Sequence, residues 1–161
     1  MAAKTFVYKS SGFTLLSCLE ASGLLLMPAA AVSIAAGDAL HDNAAGYLTN
    51  ATTAFAQTFR GIAAAAVDNS GGSAGDLNVY VIPPNEFYQF IVPVEANALI
   101  TQTIIGTYID LESANTVDLS DTVAAGVGFQ VDYIDVSTLA VAANTYGYAI
   151  GHFRMGLSAQ T

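Results

Sequence analysis

The stretch Phe129-Gln130-Val131-Asp132-Tyr133-Ile134-Asp135-Val136 sets apolar against polar residues with a period of two, the pattern of a half-buried strand. Shorter versions stand at Tyr108-Ile109-Asp110-Leu111 and Thr116-Val117-Asp118-Leu119. Around them, Leu77 to Ile82 is rich in β-branched and aromatic residues and is capped by Pro83-Pro84-Asn85-Glu86. Phe87 to Val92 reads the same way and is expected to stop at Pro93, while Tyr146 to Phe153 closes the series. Towards the N-terminus the strand candidates are Lys4–Lys9, Phe13–Leu19, Leu24–Met27 and Ala31–Ile34. Asn43-Ala44-Ala45-Gly46 then separates Asp38–His41 from Tyr47–Thr49 as the turn of a hairpin. About a dozen short strands with a turn every 8–12 residues predict an all-β fold, a β-sandwich or barrel-like domain. The run Ala63–Ala66 is a helical candidate, and Glu95–Ile100 is expected to be a short bridging turn or one helical turn. Asp68 to Asp76 (DNSGGSAGD) is the clearest loop, expected to be exposed and mobile.

The chain has 161 residues, which suits one domain with a real core. It is 53% hydrophobic but only 11% charged, less than half of the ~25% usual for soluble domains. No run of ~18 apolar residues lacks a charge or a turn former, so no helical membrane span is expected. The surplus apolar surface is expected to be buried against neighbouring subunits. With 4 Lys+Arg against 13 Asp+Glu, the net charge is −9. Lys4, Lys9, Arg60 and Arg154 stand singly, so neither nucleic acid nor an anionic membrane is an expected partner. The single cysteine, Cys18, lies among Leu15, Leu16 and Leu19. It can form no internal disulfide and is expected to be a packing thiol.

The first 28 residues imitate targeting signals. Lys4 and Lys9 precede an apolar run from Phe13 to Met27, followed by Pro28-Ala29-Ala30-Ala31. Leu15-Leu16-Ser17-Cys18 has the letters of a lipobox, and Gly12-Phe13-Thr14-Leu15-Leu16 those of a processed pilin. Met1 heads the chain, Glu20 and Ser22 interrupt the run, and Ser17 stands where a pilin needs Glu. The segment is therefore expected to be retained as part of the fold. On this division, residues 1–28 are an extended N-terminal segment that contacts the assembly, and 29–161 are a single β-rich domain.

Chemistry-bearing residues are sparse. His41 adjoins Asp42, and His152 lies in the last strand, but no nucleophile motif such as G-x-S-x-G accompanies them. A turn histidine and a sheet histidine are expected. Asp110, Glu112, Asp118, Asp121, Asp132 and Asp135 have the oxygen chemistry of a calcium site without any known loop spacing, and an acidic solvated face is the simpler expectation. Asn50-Ala51-Thr52 is a glycosylation sequon in letters alone. The glycines at 71–75 lack the Lys-Ser/Thr of a phosphate loop. No catalytic residue, metal ligand or cofactor is expected, and the chain is not expected to be an enzyme.

Two stretches carry a resemblance. Ala35-Ala36-Gly37-Asp38-Ala39-Leu40, followed by Asn43 to Tyr47, resembles the early strands of tailed-bacteriophage capsid decoration proteins, also called cement or head-stabilising proteins. So does Ile105-Gly106-Thr107-Tyr108-Ile109-Asp110-Leu111, followed by Phe129 to Asp135. The similarity spans roughly residues 30–155, and the long apolar N-terminal stretch departs from it. It implies a structural virion protein on the capsid exterior, assembled in the host cytoplasm, clustered as a trimer or higher homo-oligomer and touching the major capsid protein. The rival expectation is a self-assembling filament or surface-layer subunit that donates its N-terminal strand to a neighbour. A carbohydrate-binding sandwich ranks last, because Trp is 0.

Overall fold

Short apolar runs broken by Gly, Asn and Pro have room for strands and little else. A computed structural model describes residues 12–18, 24–51, 59–84, 88–94, 102–123, 128–134 and 147–153. Among them are thirteen strands: β1 (Thr14–Cys18), β2 (Leu25–Pro28), β3 (Ser33–Ile34), β4 (Ala39–Asp42), β5 (Leu48–Asn50), β6 (Phe59–Ala63), β7 (Val67–Asp68), β8 (Asn78–Ile82), β9 (Tyr88–Pro93), β10 (Tyr108–Ser113), β11 (Thr116–Thr122), β12 (Phe129–Ile134) and β13 (Tyr148–Phe153). The fold is all-β. The helical element among the described residues is one 3-10 turn, Gln102–Ile104. The candidate strand at Lys4–Lys9 and the segment Glu95–Ile100 lie outside the described residues.

The strands form a six-stranded sheet in the order β1-β9-β13-β12-β10-β11, a five-stranded sheet β2-β8-β6-β4-β5, and a small ribbon β3-β7. Every paired strand is antiparallel to its neighbour. Both larger sheets curl far enough to meet themselves. β1 pairs with β9 only as far as Ile91, which leaves the end of that strand free for Val94 to bridge Val117 on the edge strand β11. In the other sheet Ala29, one residue past β2, bridges Leu48 on β5. Two strands of the 1–28 segment belong to these sheets, β1 beside β9 and β2 beside β8.

Two cores result. Phe13, Phe59, Phe90, Phe129 and Phe153 fill the space between the sheets with five rings. Phe153 is their hub, with centroids 5.2 Å from Phe13, 5.0 Å from Phe59, 5.4 Å from Phe90 and 5.3 Å from Phe129. The edge-to-face and tilted angles suit the ring quadrupoles. A second, aliphatic cluster of Ala29, Ile34, Leu40, Leu48, Ala63, Val79 and Val81 lies on the opposite face of the five-stranded sheet. The adjacent residues Ala39 and Leu40 divide between the two cores, as strand alternation requires.

The register corrects the simplest form of the alternation. In β12, Phe129 and Val131 are buried, but a bulge between Val131 and Tyr133 shifts the pairing with β13. Ile134 therefore turns inward and Tyr133 outward, 62% exposed. Opposite the bulge, Gly151 pairs with Val131, and a Cβ there would run into the carbonyl oxygen of Gln130. Gly61 marks a similar irregularity where β4 and β6 slip between Leu40 and His41; its φ of +138° is one that glycine tolerates.

Three local expectations change. The run Ala63–Ala66 is not helical: Ala63 ends β6, the chain bends, and β7 begins at Val67. Pairing overrides propensity here, since Ala63 N donates to Asp38 O and Ala64 N to Tyr80 O, both at 2.8 Å. Pro93 is the last residue of β9, opposite Tyr148, and not a stop before it. His41 lies within β4 instead of a turn. The hairpin at 38–49 forms as expected, with Asn43 Oδ1 accepting from Ala45 N and Tyr47 N across the turn.

Candidate functional site

The most exposed apolar surface among the described residues begins where the five-stranded sheet outruns its cover. Leu26 and Tyr80 face each other across β2 and β8, 55% and 50% exposed. Leu24, Leu25 and Leu77 beside them are about half exposed as well. From Leu24 to Ala36 and from Leu77 to Pro84 no residue carries a charge. On the other face of the same two strands Val79 and Val81 are fully buried, while Leu25, opposite Val81, is 48% exposed. A strand that is apolar on both faces, at a sheet edge, is an unfinished surface.

Backbone geometry sharpens this. Ala29 N donates to Leu77 O at 2.9 Å. Antiparallel bonding alternates, so Met27 and Leu25 also turn their N–H groups towards β8. The N–H groups of Leu24 and Leu26 then point away from β8, and Pro28, next in that series, has none to offer. The edge thus presents a short stretch able to accept a further strand, closed off by a proline and by the Ala30 N to Leu48 O bond of 2.7 Å.

The polar candidates fall elsewhere and do not converge. His152 Nδ1 lies 2.9 Å from Asp132 Oδ2, and Gln89 Nε2 is 3.4 Å from that same oxygen. This trio bridges β9, β13 and β12 half-buried, and the pairing of residues 20 positions apart gives no local sequence signal. His41 sits on another sheet. Asp42, its neighbour, accepts from Arg60 Nε at 2.6 Å. Asp110 and Asp118 oppose each other in the β10–β11 ladder, but Asp110 is buried and accepts from Leu111 N, while Asp118 binds Ser120 and Asp121 N–H groups. Among the described residues no three His, Cys, Asp or Glu side chains gather as a metal site. Asp135 and Thr52 lie outside the described residues, as does the side chain of Cys18.

The loop at 68–76 is exposed but anchored. Asn69 is buried, and its Nδ2 donates to Ala29 O, Ala30 O and Ser73 O. Asp68 accepts from the hydroxyl and N–H of Ser70, which hold its carboxyl below the usual aspartate range. Asp76 accepts from Ser73 N at 2.7 Å. Polar side chains organise this loop without apolar burial, and residues 70–76 are exposed as expected.

No family model, curated protein or solved structure matches the chain. None of the described helices is long and apolar enough to cross a membrane.

Proposed function

We propose that this chain is a structural virion protein that binds the outer surface of a bacteriophage capsid lattice and stabilises it through apolar contacts. One observation carries the assembly part of this reading: the uncharged, half-exposed Leu24–Leu26, Leu77 and Tyr80 surface at the β2–β8 end of the sheet. Such a surface gains about 25 cal/mol for each Å² covered. The capsid part rests on the resemblance of residues 35–47 and 105–135 to decoration proteins. The partners are the major capsid protein and further copies of this chain, as a trimer or higher assembly on the capsid exterior.

The N–H groups of Leu24 and Leu26, which point away from β8 and have no partner among the described residues, favour a second reading, a filament or surface-layer subunit whose neighbour adds a strand at β2. Sedimentation of the purified protein, alone and mixed with expanded phage capsids, separates the two. Discrete oligomers that co-sediment with capsids support decoration. Open-ended growth without capsids supports the filament, and a monomer that ignores both refutes assembly.

A further inference from the structure

The two large sheets are stitched together by backbone at residues 35–39. Phe13 N donates to Gly37 O at 2.8 Å and Ala39 N to Ala114 O at 2.6 Å, tying in the six-stranded sheet. Gly37 N to Ala63 O and Ala63 N to Asp38 O, each 2.8 Å, tie in the five-stranded one. At the centre stands the Asp38 side chain, only 4% exposed. Its Oδ2 accepts from Ala35 N at 2.8 Å and from Asn50 Nδ2 at 3.1 Å. The other end of that amide, Asn50 Oδ1, is buried with no hydrogen-bond partner.

A buried carboxylate is tolerated where a cation or several donors face it. Asp38 has two donors, and an orphaned carbonyl oxygen beside one of them. The surrounding elements contribute Gly12 and Phe13, Ala63 on β6, Asn50 on β5 and Ala114 of the β10–β11 turn, none ionisable. Among the described side chains, the ionisable groups on those elements are His41 and Asp42 further along β4, Arg60 on β6, bonded to Asp42, Tyr108, Asp110 and Glu112 on β10, and Asp118 and Asp121 on β11.

We propose that Asp38 and Asn50 form an acid-tightened clasp at the sheet junction, in which Asp38 takes up a proton within the intact fold and the junction gains stability. The proton removes the buried charge. Asn50 Nδ2 goes on donating to the carboxylic acid at Oδ2, and the unpartnered Asn50 oxygen no longer lies beside a buried negative charge. Burial, opposed by the Ala35 N–H, raises the Asp38 carboxyl above the ordinary aspartate value. The folded chain therefore binds this proton at a higher pH than the unfolded chain does. The contribution to stability grows as pH falls through the folded value and levels off below the unfolded one. A salt-bridged carboxylate would do the reverse.

The test is urea unfolding of the full chain and of Asp38→Asn, in steps from about pH 7 to about pH 4. Asparagine keeps an acceptor for Ala35 N–H and never ionises. The stability difference between the two proteins should move steadily in the wild type's favour as pH falls. A difference that stays constant, or moves the other way, overturns the clasp. Should Asp38→Asn fail to fold, the Asp38 carboxyl carbon resonance of the wild type decides: a midpoint above the ordinary aspartate value of ~3.9 supports the clasp, and one at or below it refutes it.

Discussion

The five-ring core and the β2–β8 end of the neighbouring sheet are built from equally apolar sequence, yet one is sealed and the other bare. Phe153 is 1% exposed and touches four other rings; Leu26 is 55% exposed and faces one Tyr. The difference is one of cover. β9, β13 and β12 lie between other strands, and β6 and β4 lean on them through Phe59, Ile62 and Ala39. β2 is an edge, and the aromatic core does not extend to it. Apolar composition thus serves two ends in this chain, and only the placement of each strand in the sheet order tells them apart.

The largest expected effect tests the sealed region against its aliphatic counterpart. Phe153→Ala should destabilise the fold by about 3–5 kcal/mol, because four rings lose their common neighbour and cannot close the gap. Leu48→Ala, in the cluster closed by the β3–β7 ribbon, should cost about 2 kcal/mol, the low end for such a truncation, since small aliphatic neighbours settle more easily. Urea unfolding measures both. Equal losses would erase the distinction between a rigid aromatic core and a compliant aliphatic one.

How much of this was legible beforehand differs by element. Period-two alternation located β10, β11 and β12, and the polar turn Asn43–Gly46 located the β4–β5 hairpin, because both signals are local. Ala63–Ala66 misled for the same reason: local propensity favours helix, but the deciding bonds to Asp38 and Tyr80 come from distant strands. The bulge that exposes Tyr133 and buries Ile134 is a property of the β12–β13 pair, not of either strand. Likewise the surplus of apolar residues announced an uncovered surface, while its address, Leu24–Leu26 with Leu77 and Tyr80, depends on which strand ends the sheet. The Asp132–His152 contact joins two strands and leaves no trace in spacing.

A middle-sized effect concerns the loop beside the bare edge. Asn69 is 2% exposed, and its one amide serves three carbonyls, two of them at Ala29 and Ala30, where β2 turns towards β5. Asn69→Ala removes the side-chain donor they share, while Ala29 O, Ala30 O and Ser73 O keep their bonds from Gly75, Val32 and Asp76 N–H, so the loss should be about 1 kcal/mol. Thermal unfolding measures the loss. Hydrogen exchange sharpens it: Ala30 N–H, bonded to Leu48 O, should exchange faster in the variant. An unchanged Ala30 would mean that the loop does not brace the bare end of the sheet.

The smallest change in stability is expected at the bare region itself, and there the assembly readout matters more. Leu26→Glu places a charge on a half-exposed edge position, and such surface substitutions alter stability by about 0.5 kcal/mol or less. If Leu26 and Tyr80 are covered by another subunit, the same change buries an unpaired carboxylate in the interface and removes assembly. Salt separates this from simple repulsion. Subunits of net charge −9 repel, and screening within ~10 Å at 0.1 M relieves that. Wild-type assembly should hold or strengthen as sodium chloride rises, because apolar burial and not ion pairing drives it. Added salt should fail to restore Leu26→Glu, since the desolvation of a buried charge is not screened. Sedimentation across the salt series reads both proteins. Assembly of Leu26→Glu at wild-type level would show that the β2 edge is left uncovered, and dissociation of the wild type by salt would place the contact at charged residues instead.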